Sequence, residues 1–300
     1  MAITTYPQIF DSLRQKPMRQ LVIANGVDAH SIEAGYRAQS EGFAKVIITG
    51  NQSTFEKECV SAGISPSSIQ LIHCSTEDEA VKVAVGLVRQ NRANAIMKGL
   101  VNTDQFLKGV LDKQNGILNQ GALLSHITMI VHDKYKKPIL ISDVAIIPQP
   151  TFEQKIRMTE YLINVAHKLE IEEPKIAFIA ASEKVIAGMP ATVDADKLKK
   201  MWQDGWFDGS VCDGPMALDL AIDEESARIK NFQSPVAGDA DCLLFPNIES
   251  GNVFYKTSTK LCNAQTAAIV IGTMVPAILS SRGDSMETKL NSIALALLIG

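Results

Sequence analysis

The chain has 300 residues, of which 46% are hydrophobic and 21% charged, and a formal net charge of −4. That length holds one large α/β domain or two of about 150 residues each, with a core large enough to need neither metal nor disulfides. The slight negative charge, with no run of Lys or Arg, excludes an extended nucleic-acid groove and leaves room only for a local basic pocket.

In chain order, Leu21–Ala24 reads as a buried strand ending at Asn25-Gly26, with a helical pattern from His30 to Ser40. Lys45–Thr49 is rich in β-branched residues and stops at Gly50, and Ile69–His73 repeats that form. Ser75 or Thr76 then caps a helix running to Gln90. Ala95–Lys98 ends at Gly99, and a helix is expected from Thr103 to Asp112. Ile127–Val131 and Ile139–Ser142 are strands, Phe152–Leu169 is a long helix entered after Pro148-Gln149-Pro150, and Lys175–Ala180 is a strand after the turn at Pro174. Helices at Asp194–Gln203 and Met216–Ile222, the strand Cys242–Phe245 and a helix from Gly251 continue the rhythm. Such alternation predicts α/β lobes built on parallel sheets covered on both faces. The expected architecture is two α/β/α lobes with a cleft between them.

The five cysteines, at 59, 74, 212, 242 and 262, are odd in number and contain no CxxC pair, so a disulfide framework or zinc site is not expected. A reducing compartment is the natural reading. The N-terminal MAITTYPQIFDSLRQK lacks the apolar core of a signal peptide. Ala267–Ser280 is interrupted by Gly272 and Pro276, and Ile293–Ile299 is shorter still, so neither spans a ~30 Å bilayer. A cytoplasmic protein without a membrane partner is expected.

In parallel sheets, ligands gather beyond the carboxyl ends of strands. Four chemically unusual stretches fall there: Lys98-Gly99, Ser142-Asp143, Pro246–Gly251 and Ser280–Gly283. Any one of them is also ordinary strand-to-helix punctuation. Ser250-Gly251-Asn252, after Asn247, opens a helix that carries Lys256 and Lys260 four residues apart, where a glycine would admit an anion close to backbone N–H groups. The same two lysines also fit a plain solvated face. Ser281-Arg282-Gly283 combines a hydroxyl with a guanidinium fork suited to two-pronged phosphate binding, or alternatively caps a helix. His126 suits a packed or capping role better than a general acid. Asp213, Asp219 and Asp223 suit an acidic surface better than a metal site.

SPVAGDADCLLFPNIESGNVFYK from Ser234 resembles the long shared segment of the phosphate acetyltransferase and phosphate butyryltransferase family. MKGLVNTDQFLKGVLD from Met97, SDVAIIPQP from Ser142, MPATVDA from Met189 and SSRGDSMETKLNSIALA from Ser280 agree in order, so the resemblance covers nearly the whole chain. It implies two α/β/α lobes of the isocitrate/isopropylmalate dehydrogenase-like kind, placed at 1–138 plus 276–300 and at 139–275, with the active site between them. It also implies that an acyl group passes between coenzyme A and phosphate, both of them substrates, with no cofactor and no metal site. A homo-oligomer is expected. The C-terminal stretch looks most like the butyryl branch. The carried-over catalytic residues are Ser281, Arg282 and Lys98. The substrate-binding set is Gly99, Thr103, Lys108, Asp143, Asn247, Ser250, Gly251, Asn252, Lys256 and Gly283. The family's acetyltransferases place a catalytic aspartate where this chain has Thr288. That departure leaves a non-catalytic acyl-CoA-binding protein as one alternative. A metal- and NAD-dependent hydroxyacid dehydrogenase is another, although no GxGxxG follows a strand.

Overall fold

A computed structural model describes residues 2–279 and 284–300. The first elements are α1 (Tyr6–Arg14), β1 (Arg19–Ala24), α2 (Ala29–Ser40), β2 (Ala44–Gly50), α3 (Gln52–Ser61), β3 (Gln70–His73), α4 (Glu77–Arg89), β4 (Ala95–Lys98) and α5 (Thr103–Val110). Next come β5 (Ser125–Val131), β6 (Ile139–Ser142), α6 (Phe152–Lys168), β7 (Lys175–Ile179), α7 (Pro190–Gln203), β8 (Val211–Met216), α8 (Leu218–Ile222), α9 (Glu224–Ile229), β9 (Cys242–Leu244) and α10 (Ile248–Lys260). β10 (Gln265–Ile271), β11 (Ala277–Ile278) and α11 (Met286–Ile299) follow.

The chain forms two compact units. The split unit is Tyr6–Leu124 with Ala267–Gly300, and the central unit is Ser125–Thr266 with Met1–Thr5. The boundaries expected near 138 and 276 therefore fall about ten residues earlier. The physical reason is strand pairing: β5 folds back antiparallel onto β6, and β10 pairs antiparallel with β11, so each goes with its partner. Both connections are too short for the dozen or more residues of a crossover, which is why these pairs break the all-parallel expectation.

Within the split unit the strand order is β3-β2-β1-β4-β11-β10. The chain winds outward from β1 to β3, then returns to place β4 on the other side of β1, with β1, β2, β3 and β4 mutually parallel. Right-handed crossovers consequently put α2 and α3 on one face and α4 on the other. Side-chain caps start the helices: Asp28 accepts from the Ser31 N–H, Asn51 from Thr54 and Thr76 from Glu79. α11 is buried along almost all of its length and packs with α1 and α2.

Within the central unit the order is β5-β6-β9-β7-β8. Ile141, Ala177 and Leu243 point from the strands toward Leu220, Ala221 and Ala227 of α8 and α9, forming one half of its core. A helix expected over Met216–Ile222 is divided in two. Met216 ends β8, where its carbonyl accepts from the Ala180 N–H, and helix begins only at Leu218. At the strand starts, the Asp239 carboxylate meets Lys175 at 2.7 Å and Lys136 and Lys137 each at 3.1 Å, while Asp241 meets Lys137 at 2.8 Å. Burial alone would raise the Asp239 pKa, but hydrogen bonds from Lys175, Lys137 and Lys136 outweigh it and hold the carboxyl well below the usual range. Among the described residues, no helix is long and apolar enough to cross a membrane.

Candidate active site

In the split unit, the carboxyl ends of β1 and β4 lie side by side where the winding reverses, the position at which open α/β sheets bind ligands. Asn25, leaving β1, takes a left-handed backbone (φ 51°). Its Nδ2 donates to the Leu100 carbonyl at 2.5 Å, and its own carbonyl accepts from the Leu100 N–H at 2.8 Å. Gly99 is required here, because a Cβ on it would stand 2.5 Å from the Asn25 carbonyl oxygen and 2.7 Å from the Gly26 Cα. Lys98 is the last residue of β4, only 8% exposed, and its ammonium donates to the carbonyls of Gly99 at 3.2 Å and Val101 at 3.0 Å. A buried cation at a strand end is thus in place. Thr103, exposed, is the first residue of α5.

Lys108 lies elsewhere in the same unit. It is exposed in the last turn of α5 and lines a cavity of about 740 Å³ between α4 and α5, together with Val81, Lys82, Val85, Arg89 and Asp112. The structure therefore does not bring Lys108 to the strand end occupied by Lys98. Five residues of α5, about 7.5 Å of helix, separate Lys108 from Thr103 at the helix start.

The central unit gathers Asp143, Asn247, Ser250, Gly251 and Asn252, but mainly for one another. The Asp143 carboxylate, 2% exposed, accepts four hydrogen bonds. One oxygen takes Ser125 Oγ at 3.0 Å and the His126 N–H at 2.8 Å, and the other takes the N–H groups of Ala145 and Ile146, both at 2.8 Å. Asp143, placed above in the substrate-binding set, uses its carboxylate to organise the 143–146 turn. Gly251 also has a local role. α10 begins at Ile248 with Asn247 as its cap, and a Cβ on Gly251 would collide with the Asp143 carbonyl oxygen. The close approach that the glycine permits is to the protein's own backbone. Asn247 Oδ1 accepts from the Ser250 N–H at 3.0 Å and from Ser250 Oγ at 2.8 Å, and Asn252 Nδ2 donates to the Val144 carbonyl at 2.9 Å. Lys256 is exposed on α10, its ammonium 4.8 Å from the centre of the Tyr255 ring.

The remaining candidates separate cleanly. Ser281, Arg282 and Gly283 lie outside the described residues. Thr288 sits in the first turn of α11, its N–H donating to the capping Ser285 Oγ at 3.1 Å. His126 is buried, with Nδ1 3.4 Å from Thr128 Oγ1. Asp213, read as part of an acidic surface, is instead buried and paired with Lys199 at 2.7 Å, because it lies within β8, a strand covered by α7. Asp219 pairs with Lys230 and Asp223 caps α9. Among the described residues, no group of three or more His, Cys, Asp or Glu side chains is arranged to hold a metal ion.

Sequence reasoning passed over Asn25, Ser125 and two buried lysines, Lys155 and Lys289. Lys155 pairs with Asp194 at 2.7 Å. A charge standing at an apolar position of a helix was the available signal for both lysines, as in Lys289-Leu290-Asn291-Ser292-Ile293.

Comparison with known proteins bears on the whole chain. The family model described as phosphate acetyl/butaryl transferase matches residues 74–297. The phosphate butyryltransferase of Clostridium acetobutylicum is 38% identical over 297 residues, covering 99% of this chain and 98% of that protein. The phosphate acetyltransferase of Thermotoga maritima is also 38% identical, over 281 residues, 93% of this chain and 94% of that one. Among solved structures, a branched-chain phosphotransacylase from Enterococcus faecalis V583 superposes with a TM-score of 0.84 at 30% identity, covering 94% of this chain and 99% of its own.

Proposed function

Since the chain belongs to the phosphate acetyl/butyryltransferase family, we propose that it moves a short acyl group between coenzyme A and inorganic phosphate, favouring butyryl or a branched four- to five-carbon group. The observation that carries this is the 38% identity to a phosphate butyryltransferase across 99% of the chain.

A phosphate oxygen attacks the thioester carbonyl carbon, and the carbonyl electrons move onto oxygen. The tetrahedral intermediate collapses as the C–S bond breaks. The acyl phosphate leaves with the new C–O bond, and the thiolate takes up the proton that hydrogen phosphate brought. Inorganic phosphate already carries a substantial dianion fraction at neutral pH and a thiol of pKa near 8.5 is a tolerable leaving group, so charge compensation and alignment matter more than strong base catalysis. Holding both partners in line supplies ~7–11 kcal/mol of the barrier. In this reading Lys98 and the Arg282 fork compensate phosphate charge, and the Ser281 hydroxyl donates to the developing oxyanion. Thr103, Lys108 and Lys256 serve the phosphates of coenzyme A, with a backbone donor at Gly283 and with Gly99, whose own N–H is taken by the Ala24 carbonyl, shaping the turn after β4. Asp143, Asn247, Ser250, Gly251 and Asn252 act indirectly, by fixing the loops around them. Absence of a carboxylate at Thr288 fits chemistry that needs little base. We read the enzyme as a cytoplasmic homo-oligomer working without cofactor.

The deciding experiment is release of free thiol from acetyl-, propionyl-, butyryl- and isobutyryl-CoA with and without phosphate or arsenate. Release only with the oxyanion, and a specificity constant for butyryl-CoA roughly tenfold above acetyl-CoA, is expected, since each buried methylene contributes ~0.8 kcal/mol. Oxyanion-independent hydrolysis overturns the transfer reading, and an acetyl preference overturns the chain-length reading.

A further inference from the structure

Three lysines are buried among the described residues: Lys98, Lys155 and Lys289. Lys98 donates to two backbone carbonyls and Lys155 is paired with Asp194. Lys289, 4% exposed, has neither an ion pair nor a side-chain hydrogen bond among the described residues. Removing a charge from water without a partner is costly, and buried cations are ordinarily paired. No polar side-chain atom among the described residues is sealed off from both a partner and the surface. The Lys289 ammonium therefore keeps a narrow opening while its stem is packed away.

The topology fixes where that opening lies. Arg19, the first residue of β1, donates to the carbonyls of Leu297 and Gly300, so the end of α11 lies beside the strand starts. Its first turn consequently lies toward the strand ends, on the side where β4 delivers Lys98 and where β11 runs parallel to β4. Around the helix, Ser292 faces the sheet, accepting from the Ala268 N–H of β10 at 2.9 Å. Lys289 lies one turn earlier on the same side. Glu287, by contrast, points toward α2 and meets Arg37 at 3.2 Å.

We infer that Lys289 is a phosphate-binding residue, its ammonium donating to the oxyanion that takes part in acyl transfer at the carboxyl edge of β1, β4 and β11. This rests on the proposed acyl transfer. A cation retained at a cost to stability, with no anion of its own, is what a dianionic substrate would complete.

The test compares Lys289→Met, Lys289→Gln and Lys289→Arg with the wild type in full steady-state kinetics, alongside thermal melts with inorganic phosphate as the probe. In the Met and Gln variants the KM for phosphate should rise about tenfold to a hundredfold, the range of one charge-assisted hydrogen bond. The KM for butyryl-CoA should stay within about twofold. The melting temperature without phosphate should hold or rise, because an unpaired buried charge has been removed, and the upward shift on adding phosphate should vanish. Arg should restore most of the phosphate affinity. A Met or Gln variant that folds and keeps the wild-type phosphate KM and melting shift overturns the inference. So does a defect confined to the KM for butyryl-CoA. If the wild type releases no thiol with phosphate, the acyl-transfer reading fails, and the phosphate melting shift in wild type and variants still decides the role of Lys289.

Discussion

The strand ends of the two units carry similar sequence signals and do opposite things with them. Beyond β6 and β9 in the central unit, each polar group named as a candidate has a neighbour in the chain, from the four donors on Asp143 to the Asn252 amide on Val144. The split unit places at its strand ends Lys98, whose ammonium donates to the carbonyls of Gly99 and Val101, and, on α11, a buried lysine with no ion pair or side-chain hydrogen bond among the described residues. A polar residue after a strand therefore signals structure when its bonds close locally and chemistry when they do not. Sequence cannot distinguish the two, because the closing partners come from distant segments.

The largest effect that would sharpen this contrast is at Asp143. Asp143→Ala strands four donors, each costing ~1–3 kcal/mol when buried unpaired, so a loss on the order of 4 kcal/mol and a fall in melting temperature of roughly 10 °C are expected. If thermal melts show an intact fold while turnover collapses, Asp143 acts on substrate and the contrast breaks. Gly251→Ala is next. Its methyl meets the Asp143 carbonyl, and such overpacking costs about 1–3 kcal/mol, to be read from denaturant midpoints with a smaller effect on kcat than on stability.

A gentler probe is pH. The Asp239 carboxyl is held below its unfolded pKa by three lysines, so the stabilisation is complete above the unfolded value near 4 and fades as pH falls through the lower folded one. Asp239→Asn should lose stability near neutrality and show a flatter acid limb in melts between about pH 5 and 2. An unchanged acid limb would mean that this paired cluster contributes nothing. Thiol labelling should perturb least. Cys262 is exposed, whereas burial pushes the Cys212 thiol up to about 12 and also raises Cys59, Cys74 and Cys242. One fast and four slow cysteines are expected with a disulfide reagent at neutral pH. Rapid labelling of Cys59 and Cys74, both in the split unit, would show that this unit opens more readily than its neighbour.

Much of the fold was legible because short β-branched runs ending in Gly, Asn or Asp are a strong signal for parallel strands. β1, β2, β4 and β6 lie where that pattern puts them, and β9 lies in the apolar run before Pro246. β8 was missed because Val211–Met216 contains Asp213, Gly214 and Pro215, residues that argue against a strand. The antiparallel strands β5 and β10 moved the unit boundaries, since pairing direction is not written in local composition. Around the candidate site, Lys98 and Gly99 were legible as a strand end and the turn that follows it. Asp143 and Gly251 stood out locally, but what packs against them was not legible: the Asp143 carboxylate takes donors from Ser125 and His126, and the Gly251 backbone lies against the Asp143 carbonyl. Lys289 stayed hidden in an amphipathic-looking stretch until the burial of α11 became visible.

The split unit also has a temporal meaning. Its sheet takes β1 to β4 from the first 124 residues, but β11 and the buried helix α11 come from the last 34. During synthesis at 5–20 residues/s, the early strands wait roughly 10–35 s for the segment that covers them. Leu21, Ile23, Ile96 and Met97, all without solvent exposure in the finished fold, belong to that waiting portion. The central unit, emerging almost entire in one stretch, has no such delay. Ribosome-bound chains stopped short of α11 should therefore present an intact middle and an unfinished beginning, the form in which a chaperone would meet this protein.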